Sequence, residues 1–317
     1  MPKASIIIPH WNGKQHLDVC LGSLRLQSWR DFEVLLVDNG STDGSQAYVQ
    51  AQFPEVTLVE LGENRGFTGA CNAGWARSTG EIVILLNNDT EVAENWLAEI
   101  VRAFDVHPEV GIVASKMLLF DKRDHFHTAG DIMRVDGTPD NRGVWQQNQG
   151  QYEIEAYVFS ACGGSAAYRR TMLEEIGFLD DDFFFSCEDV DLGWRAQLAG
   201  WKTLYVPTAV VYHKLKATGG DVTGSYYDGR NFLYLLWKNY PLSLLKTQWR
   251  TVLGAQWKIT REALKQWRGE AARARLKGQL AGLAGAIKML PKRRHIQATR
   301  RVSDDYLLSV MTAVDED

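Results

Sequence analysis

Four short polar clusters in the first third of the chain each follow an apolar run: Pro9-His10-Trp11-Asn12, Asp38-Asn39-Gly40-Ser41, Glu63-Asn64-Arg65-Gly66 and Asn87-Asn88-Asp89. A single cluster of this kind is an ordinary turn, whereas four in succession outline a site. The carboxylate of Asp38 can accept a hydrogen bond from the ring N–H of uracil or thymine; its structural alternative is a helix N-cap with Ser41 or Thr42. Gly66 and Gly69 would let backbone approach a diphosphate. Asp89 leaves an apolar strand, where a bare carboxylate is costly, and a divalent ion bridging it to a diphosphate would offset that cost. Its alternative is a turn or cap residue.

The elements that must hold these clusters alternate strands with amphipathic helices. Apolar runs at Ser5–Pro9, Phe32–Asp38, Val56–Leu61 and Glu81–Leu86 read as strands. Leu17, Leu21 and Leu24, and later Trp96, Ile100, Val101 and Phe104, recur at helical spacing. Strands buried on both faces and alternating with helices predict an α/β core with a mostly parallel sheet, in which ligands bind beyond the carboxyl ends of the strands. Residues 121–155 lose this pattern and are predicted to form a functional loop or small subdomain. Strand-like sequence resumes at Ala156–Tyr168, followed by helices near Met172–Ile176 and Glu188–Leu198 and a strand at Lys202–His213. Lys214–Gly224, with three glycines, is expected to be a mobile lid.

The 317 residues carry a formal charge of −4 that hides a strong asymmetry. Residues 1–237 sum to −13, and residues 238–301 to +14. An acidic body of residues 1–225 followed by a basic helical region of 226–317 is therefore expected. Leu242, Leu245, Trp249, Leu253, Trp257, Thr260, Leu264 and Trp267 fall on one helical stripe, with Lys246, Arg250, Lys258, Arg261, Lys265 and Arg268 beside it. Leu276, Leu280, Leu283 and Ile287 mark a second helix. A Trp/Leu face flanked by cations suits an anionic membrane surface; packing on the acidic body or in a homodimer is the alternative. No apolar run reaches the length of a signal peptide or a span, and the four cysteines form no CxxC pair. This reads as a cytoplasmic chain, peripheral on the inner face of the cell membrane where the basic helices engage lipid.

Taken in order, Ser5–Asn12, Val37–Gly44, Glu63–Phe67 with Asn72-Ala73-Gly74, Leu85–Thr90, Cys162–Ala167 and Phe183–Arg195 resemble the successive signatures of family 2 glycosyltransferases. The likeness runs from about Ala4 to about His213. It implies a GT-A type, Rossmann-like fold, a nucleoside-diphosphate sugar donor and inversion at the anomeric carbon. It assigns Pro9, Trp11, Asn12, Asp38, Asn39, Ser41, Asn64, Arg65, Gly66, Phe67, Asn72, Asn88, Gly163 and Gly164 to nucleotide-sugar binding. Asp89 matches the last aspartate of the family's Asp-x-Asp metal motif, with Asn87 at the first position, and His213 matches a histidine that ligates the metal in some relatives. Together they imply a site for a divalent metal, Mn2+ or Mg2+. Glu188-Asp189 matches the acidic catalytic pair: one carboxylate takes the acceptor proton while the other orients the acceptor or caps the helix, and Asp189 is the first choice of base.

Trp145 could stack on an acceptor sugar or belong to the core. His125 and His127 read as loop residues, and Asp191 with Arg195 as an ordinary surface pair at i,i+4. The overall look is that of bacterial enzymes of surface polysaccharide synthesis, including rhamnosyltransferases. A dTDP- or UDP-sugar donor and a glycan or lipid-linked glycan acceptor are expected. The rival readings are a non-catalytic nucleotide-sugar-binding partner subunit, which Asn87 favours, and a sugar nucleotidyltransferase, which lacks its usual Gly-rich basic loop here. No nucleic-acid-binding module is evident.

Overall fold

The computed structural model describes residues 1–214 and 220–314. The chain begins with β1 (Ala4–His10), α1 (Lys14–Arg25), β2 (Phe32–Asp38), α2 (Ser45–Gln52), β3 (Thr57–Glu60), α3 (Gly66–Trp75) and β4 (Ile82–Leu86). The four strands pair in parallel in the order β4-β1-β2-β3. Alternation along them explains why they read as unbroken apolar runs. Ile6, Ile8, Leu36 and Ile84 face one core layer with α1, whereas Ile7, Leu35, Val37 and Val83 face the other with α3.

After β5 (Thr90–Val92) and α4 (Trp96–Val106), β6 (Val110–Leu119) starts the second half of the sheet. The region read as irregular contains β7 (Phe126–Thr128) and a small hairpin of β8 (Asp131–Met133) and β9 (Pro139–Asn141). Then come β10 (Ala156–Val158), β11 (Ser165–Arg169), α5 (Arg170–Ile176), α6 (Glu188–Ala199) and β12 (Lys202–His213). Here the sheet is mixed: β11 runs antiparallel between β4 and β6, while β6 and β12 are parallel. The insertion of β11 carries the Gly163-Gly164 turn to the carboxyl end of β4, where Asn87 N–H donates to the Gly164 carbonyl at 3.0 Å.

The C-terminal region is helical: α7 (Gly220–Lys238), α8 (Leu242–Lys265), α9 (Glu270–Ala284), α10 (Ala286–Ala298) and α11 (Asp304–Val310). The expected lid lies largely on residues 215–219, outside the described residues, and its end belongs to α7. Residues 225 and 226, where the composition changes, also lie within α7. The expected Leu276–Ile287 helix is interrupted at Gly285, whose missing side chain admits the ring of Tyr234; a Cβ there would sit 2.4 Å from that ring. A third core cluster joins the two regions, with Phe159, Phe183 and Trp194 on the body meeting Tyr234, Tyr240 and Met289 on the tail.

One pair departs from expectation. Asp191 and Arg195 are buried, not on the surface. Arg195 donates to Asp191 at 2.9 Å and to the carbonyls of Ile176, Gly177 and Phe178. Lys238 reaches in from α7, with Nζ 2.6 Å from Asp180 and 2.8 Å from Asp191. An i,i+4 spacing says nothing about which helix face is covered, and here the 176–178 segment and the end of α7, through Lys238 and the following Asn239, cover it.

Candidate active site

The carboxyl ends of β1, β2 and β4 and the start of α6 converge on a cavity of about 480 Å³. Of the residues expected from sequence, Pro9, Trp11, Asn39, Asn64, Gly66, Phe67, Asn88, Asp89, Gly163, Gly164, Glu188 and Asp189 line it. A larger cavity of about 790 Å³ lies between the β8–β9 hairpin and helices α8 and α9, and it holds none of these residues.

At the β1 and β2 ends, the Asn12 main-chain N–H donates to Ser41 Oγ at 2.9 Å, and Thr42 N–H donates to Asn12 Oδ1 at 2.8 Å. The two loops are thereby tied into one rim, with Asn12 in the left-handed region (φ 49°). Below the rim, Asp38 is buried. Its Oδ2 accepts from Ser41 N–H and from the Gln46 amide, while Oδ1 accepts no hydrogen bond from any described residue. A buried carboxylate oxygen without a donor is costly, and a donor on a ligand would satisfy it.

Asn39 holds the third loop: its amide donates to Asn64 Oδ1 and the Gly66 carbonyl, and its Oδ1 accepts from Arg65 N–H. Gly66 has φ 75°, and a Cβ there would lie 2.6 Å from the Phe184 ring, so glycine is required both by conformation and by space. The Arg65 side chain points to Glu63 instead. Asn72 does not line the cavity; its amide donates to the Leu179 carbonyl and Asp181, anchoring that segment. Trp145 also stands apart from it and is 60% exposed.

At the end of β4, Asp89 Oδ1 lies 3.1 Å from His213 Nε2, and the Asn87 amide is 3.4 Å from the same nitrogen. β5 pairs with the end of β12 and brings these residues together across the sheet. His127 is a correction to its reading as a loop residue: it sits in β7, buried, on the cavity wall, with Nδ1 3.1 Å from His213 Nδ1. Burial, reinforced by His213, pushes its pKa down to about 3, so its ring is neutral and can accept. If His213 Nε2 faces a ligand, its Nδ1 carries the proton and donates to His127. Among the described residues no group of three or more His, Cys, Asp or Glu side chains could hold a metal ion. One carboxylate and one imidazole facing each other at hydrogen-bond distance nonetheless fit a divalent ion that takes its other ligands from a diphosphate and water.

Glu188 and Asp189 begin α6. The approach to them is backbone in an unusual state: Phe184, Ser186 and Cys187 all have φ between 61° and 68°. Asn231 of α7 holds that loop, its amide reaching the carbonyls of Phe183, Phe185 and Ser186 at 3.2, 2.9 and 2.6 Å. Asp189 is half-buried and accepts from Gly163 N–H at 2.6 Å and Val190 N–H at 2.7 Å. Glu188 is buried, and its Oε2 accepts no hydrogen bond from a described residue. Burial, then the neighbouring Asp189 charge, raises the Glu188 carboxyl well above its ordinary range; burial also raises Asp189 against its two backbone donors. A further buried carboxyl that sequence reasoning missed, Asp131 at the start of β8, is raised by burial and by the charge of Asp189.

Residues 5–177 match the family model described as glycosyl transferase family 2. The chain is 31% identical, over 65% of its own length and 74% of the relative's, to the N-acetylglucosaminyl-diphospho-decaprenol L-rhamnosyltransferase of Mycobacterium tuberculosis. It is also 31% identical to the O-antigen biosynthesis protein RfbC of Myxococcus xanthus, over 69% of this chain but 18% of that much longer one. In fold it is similar to a mannosyltransferase from Pyrobaculum calidifontis solved in complex with GDP-mannose and Mn2+. That match has a TM-score of 0.58 at 18% identity, covering 98% of this chain and 83% of that one. With more than half of its residues matched by the family model and the polar strand ends gathered around one cavity, the chain belongs to glycosyl transferase family 2 and is a glycosyltransferase.

Proposed function

We propose that the enzyme transfers a sugar, with inversion, from a dTDP- or UDP-sugar to a hydroxyl of a glycan or lipid-linked glycan. The observation that carries this reading is the pair of carboxyls with raised proton affinity, Glu188 and Asp189, on the wall of the same cavity that holds Asp89. A carboxylate whose proton affinity burial has raised is a stronger base and so is better suited to take a proton from an acceptor hydroxyl.

In this reading Asp38 Oδ1 accepts the N–H of a uracil or thymine ring. The open backbone at Gly66, Gly163 and Gly164 admits the diphosphate and sugar. Asp189, oriented by the Gly163 and Val190 N–H groups, takes the acceptor proton. The acceptor oxygen bonds to the anomeric carbon from the face opposite the leaving group, and the bond from that carbon to the diphosphate oxygen breaks with its electron pair. Glu188, whose proton affinity burial and the charge of Asp189 raise, is the alternative base. Asp89 and His213 would hold the divalent ion, Mn2+ or Mg2+, which when bound neutralises charge on the departing diphosphate. The names of the mycobacterial and myxobacterial relatives support a deoxyhexose donor and a surface-glycan product. A lipid-linked acceptor would place the enzyme at the inner face of the cell membrane.

Release of nucleoside diphosphate from a panel of sugar nucleotides, with Mn2+, Mg2+ or EDTA, tests the proposal on wild type, Asp89→Ala and Asp189→Ala. Metal-dependent turnover of one donor, lost in both variants, is expected. Failure to bind any donor by calorimetry would sink it; donor binding without turnover, even with glycan acceptors supplied, would favour the non-catalytic nucleotide-sugar-binding subunit that Asn87 at the first metal-motif position leaves open.

A further inference from the structure

The C-terminal helices are inverted relative to an ordinary amphipathic bundle. On α9 the residues that face inward are small: Ala274, Gly278 and Gly282 are buried, and a Cβ on Gly278 would lie 2.0 Å from the Tyr226 carbonyl oxygen of α7. Gly229 of α7 returns the contact, since a Cβ there would meet the Arg275 carbonyl at 2.4 Å. The backbones of α7 and α9 therefore touch through glycines. The larger apolar side chains Leu280, Leu283 and Ile287 point the other way and are exposed.

The same holds on α8. Its inner face buries Leu244, Val252 and Ala263. Its outer face carries Trp249, Leu253 and Trp257, 48%, 59% and 63% exposed, and Trp267 continues the stripe just past the helix end at 58%. The enzyme body does not cover this stripe. Half of the exposed large apolar side chains among the described residues fall between 242 and 290. Lys246, Arg250 and Arg261 border the stripe and are exposed, within a segment whose charge sums to +14. The guanidinium groups of Arg250 and Arg268 lie 5.2 and 6.0 Å from the ring centroids of Trp249 and Trp267.

The stripe also leads to the site. Arg273 donates to the carbonyls of Trp267 and Arg268 and, with Lys277, Tyr226 and Thr223, lines a groove of about 410 Å³. Thr223 lines the catalytic cavity as well.

We infer that the outer face of α8 docks on an anionic bilayer, with the indole rings at headgroup depth and the Lys/Arg flank on lipid phosphates. Charge selects this occupant. A second copy of the chain would bring one basic face against another, whereas an anionic lipid surface complements it. Among the described residues no helix is long and apolar enough to cross a membrane. The inference goes beyond the transfer reaction and stands whatever the donor.

The test is co-sedimentation of the full chain with vesicles of phosphatidylglycerol and phosphatidylcholine in equal parts, against phosphatidylcholine alone, at physiological and high salt. Binding to the mixed vesicles, weakened by salt and absent with phosphatidylcholine, is expected. Arg250→Gln or Arg261→Gln should each weaken binding about fivefold, and Trp249→Ser/Trp257→Ser by about tenfold or more. Unfolding temperature and nucleoside-diphosphate release without vesicles report whether these surface variants remain folded and active, and so test the transfer reading separately. Wild-type protein that stays in the supernatant, or a Trp pair variant that binds as wild type does, would overturn the inference. A dimer in light scattering that the Trp pair abolishes, without vesicle binding, would assign the face to a second copy.

Discussion

Replacing Asn231 tests how the tail helices set the catalytic loop. Asn231 is fully buried on α7, and its one amide group is shared by the carbonyls of Phe183, Phe185 and Ser186. Phe183 keeps donors from Phe185 N–H and Arg230. Phe185 and Ser186 lose the Asn231 amide. Two part-buried carbonyls deprived of a donor cost about 1–1.5 kcal/mol each, so Asn231→Ala should lose about 2–3 kcal/mol. Unfolding entropy of about 2.1 cal/mol/K per residue, over 317 residues, converts this to a fall of about 3–4 °C in Tm. The loop also holds Phe184, Ser186 and Cys187 in left-handed backbone, each position costing about 1–3 kcal/mol. Once unclamped it should relax and shift Glu188-Asp189; a displacement near 1 Å costs about a hundredfold in kcat. Thermal unfolding and single-donor turnover measure the two effects. If Asn231→Ala kept Tm within 1 °C and kcat within about twofold, the clamp would be irrelevant and the loop self-supporting.

The raised carboxyls make a kinetic prediction: the acid limb of the kcat/KM profile should lie above the ordinary Glu/Asp range near pH 4, because the base must be deprotonated to act. Asp189→Asn should remove that limb and about 10²–10⁴ in rate, while donor binding by calorimetry is retained. His127→Phe removes the acceptor for His213 Nδ1 and should weaken Mn2+ binding about ten- to a hundredfold; unchanged affinity by titration would refute a positioning role. Lys238→Met leaves Asp180 and Asp191 short of a buried cation and should cost about 3–5 kcal/mol. Burial pulls the ammonium of Lys238 down, but carboxylate oxygens at 2.6 and 2.8 Å satisfy the charged form, and both carboxylates are held below their usual range despite the burial that opposes it. Carboxylates depressed in the fold stabilise it above their unfolded pKa, and that contribution is lost as pH falls through the folded value. The stability gap between wild type and Lys238→Met, read by urea unfolding, should therefore narrow below about pH 4.

Local chemistry made the first half legible. Unbroken apolar runs at Ile6–Ile8, Leu35–Val37 and Ile82–Leu86 can only be strands covered on both faces, and the polar residues that end them must then collect at one edge of the sheet. What the residue string could not carry was coverage. Asp191-Arg195 and a surface i,i+4 pair are written alike; Lys238 at the end of α7, Asn239 and the carbonyls of residues 176–178 make them a buried charge network. His127 read as loop because its partners, His213 and Asn141, lie in other strands and meet it only when β7 joins β6 beside β12. In the tail, periodicity marked Leu276, Leu280, Leu283 and Ile287 as one helix without saying what covers its apolar side; α7 and α9 close on each other through Gly229, Gly278 and Gly282 and leave Leu280, Leu283 and Ile287 exposed. Side-chain periodicity states that a helix has an apolar face. Whether protein or something else covers that face depends on which surfaces can approach closely, and that is decided only when the backbones pack.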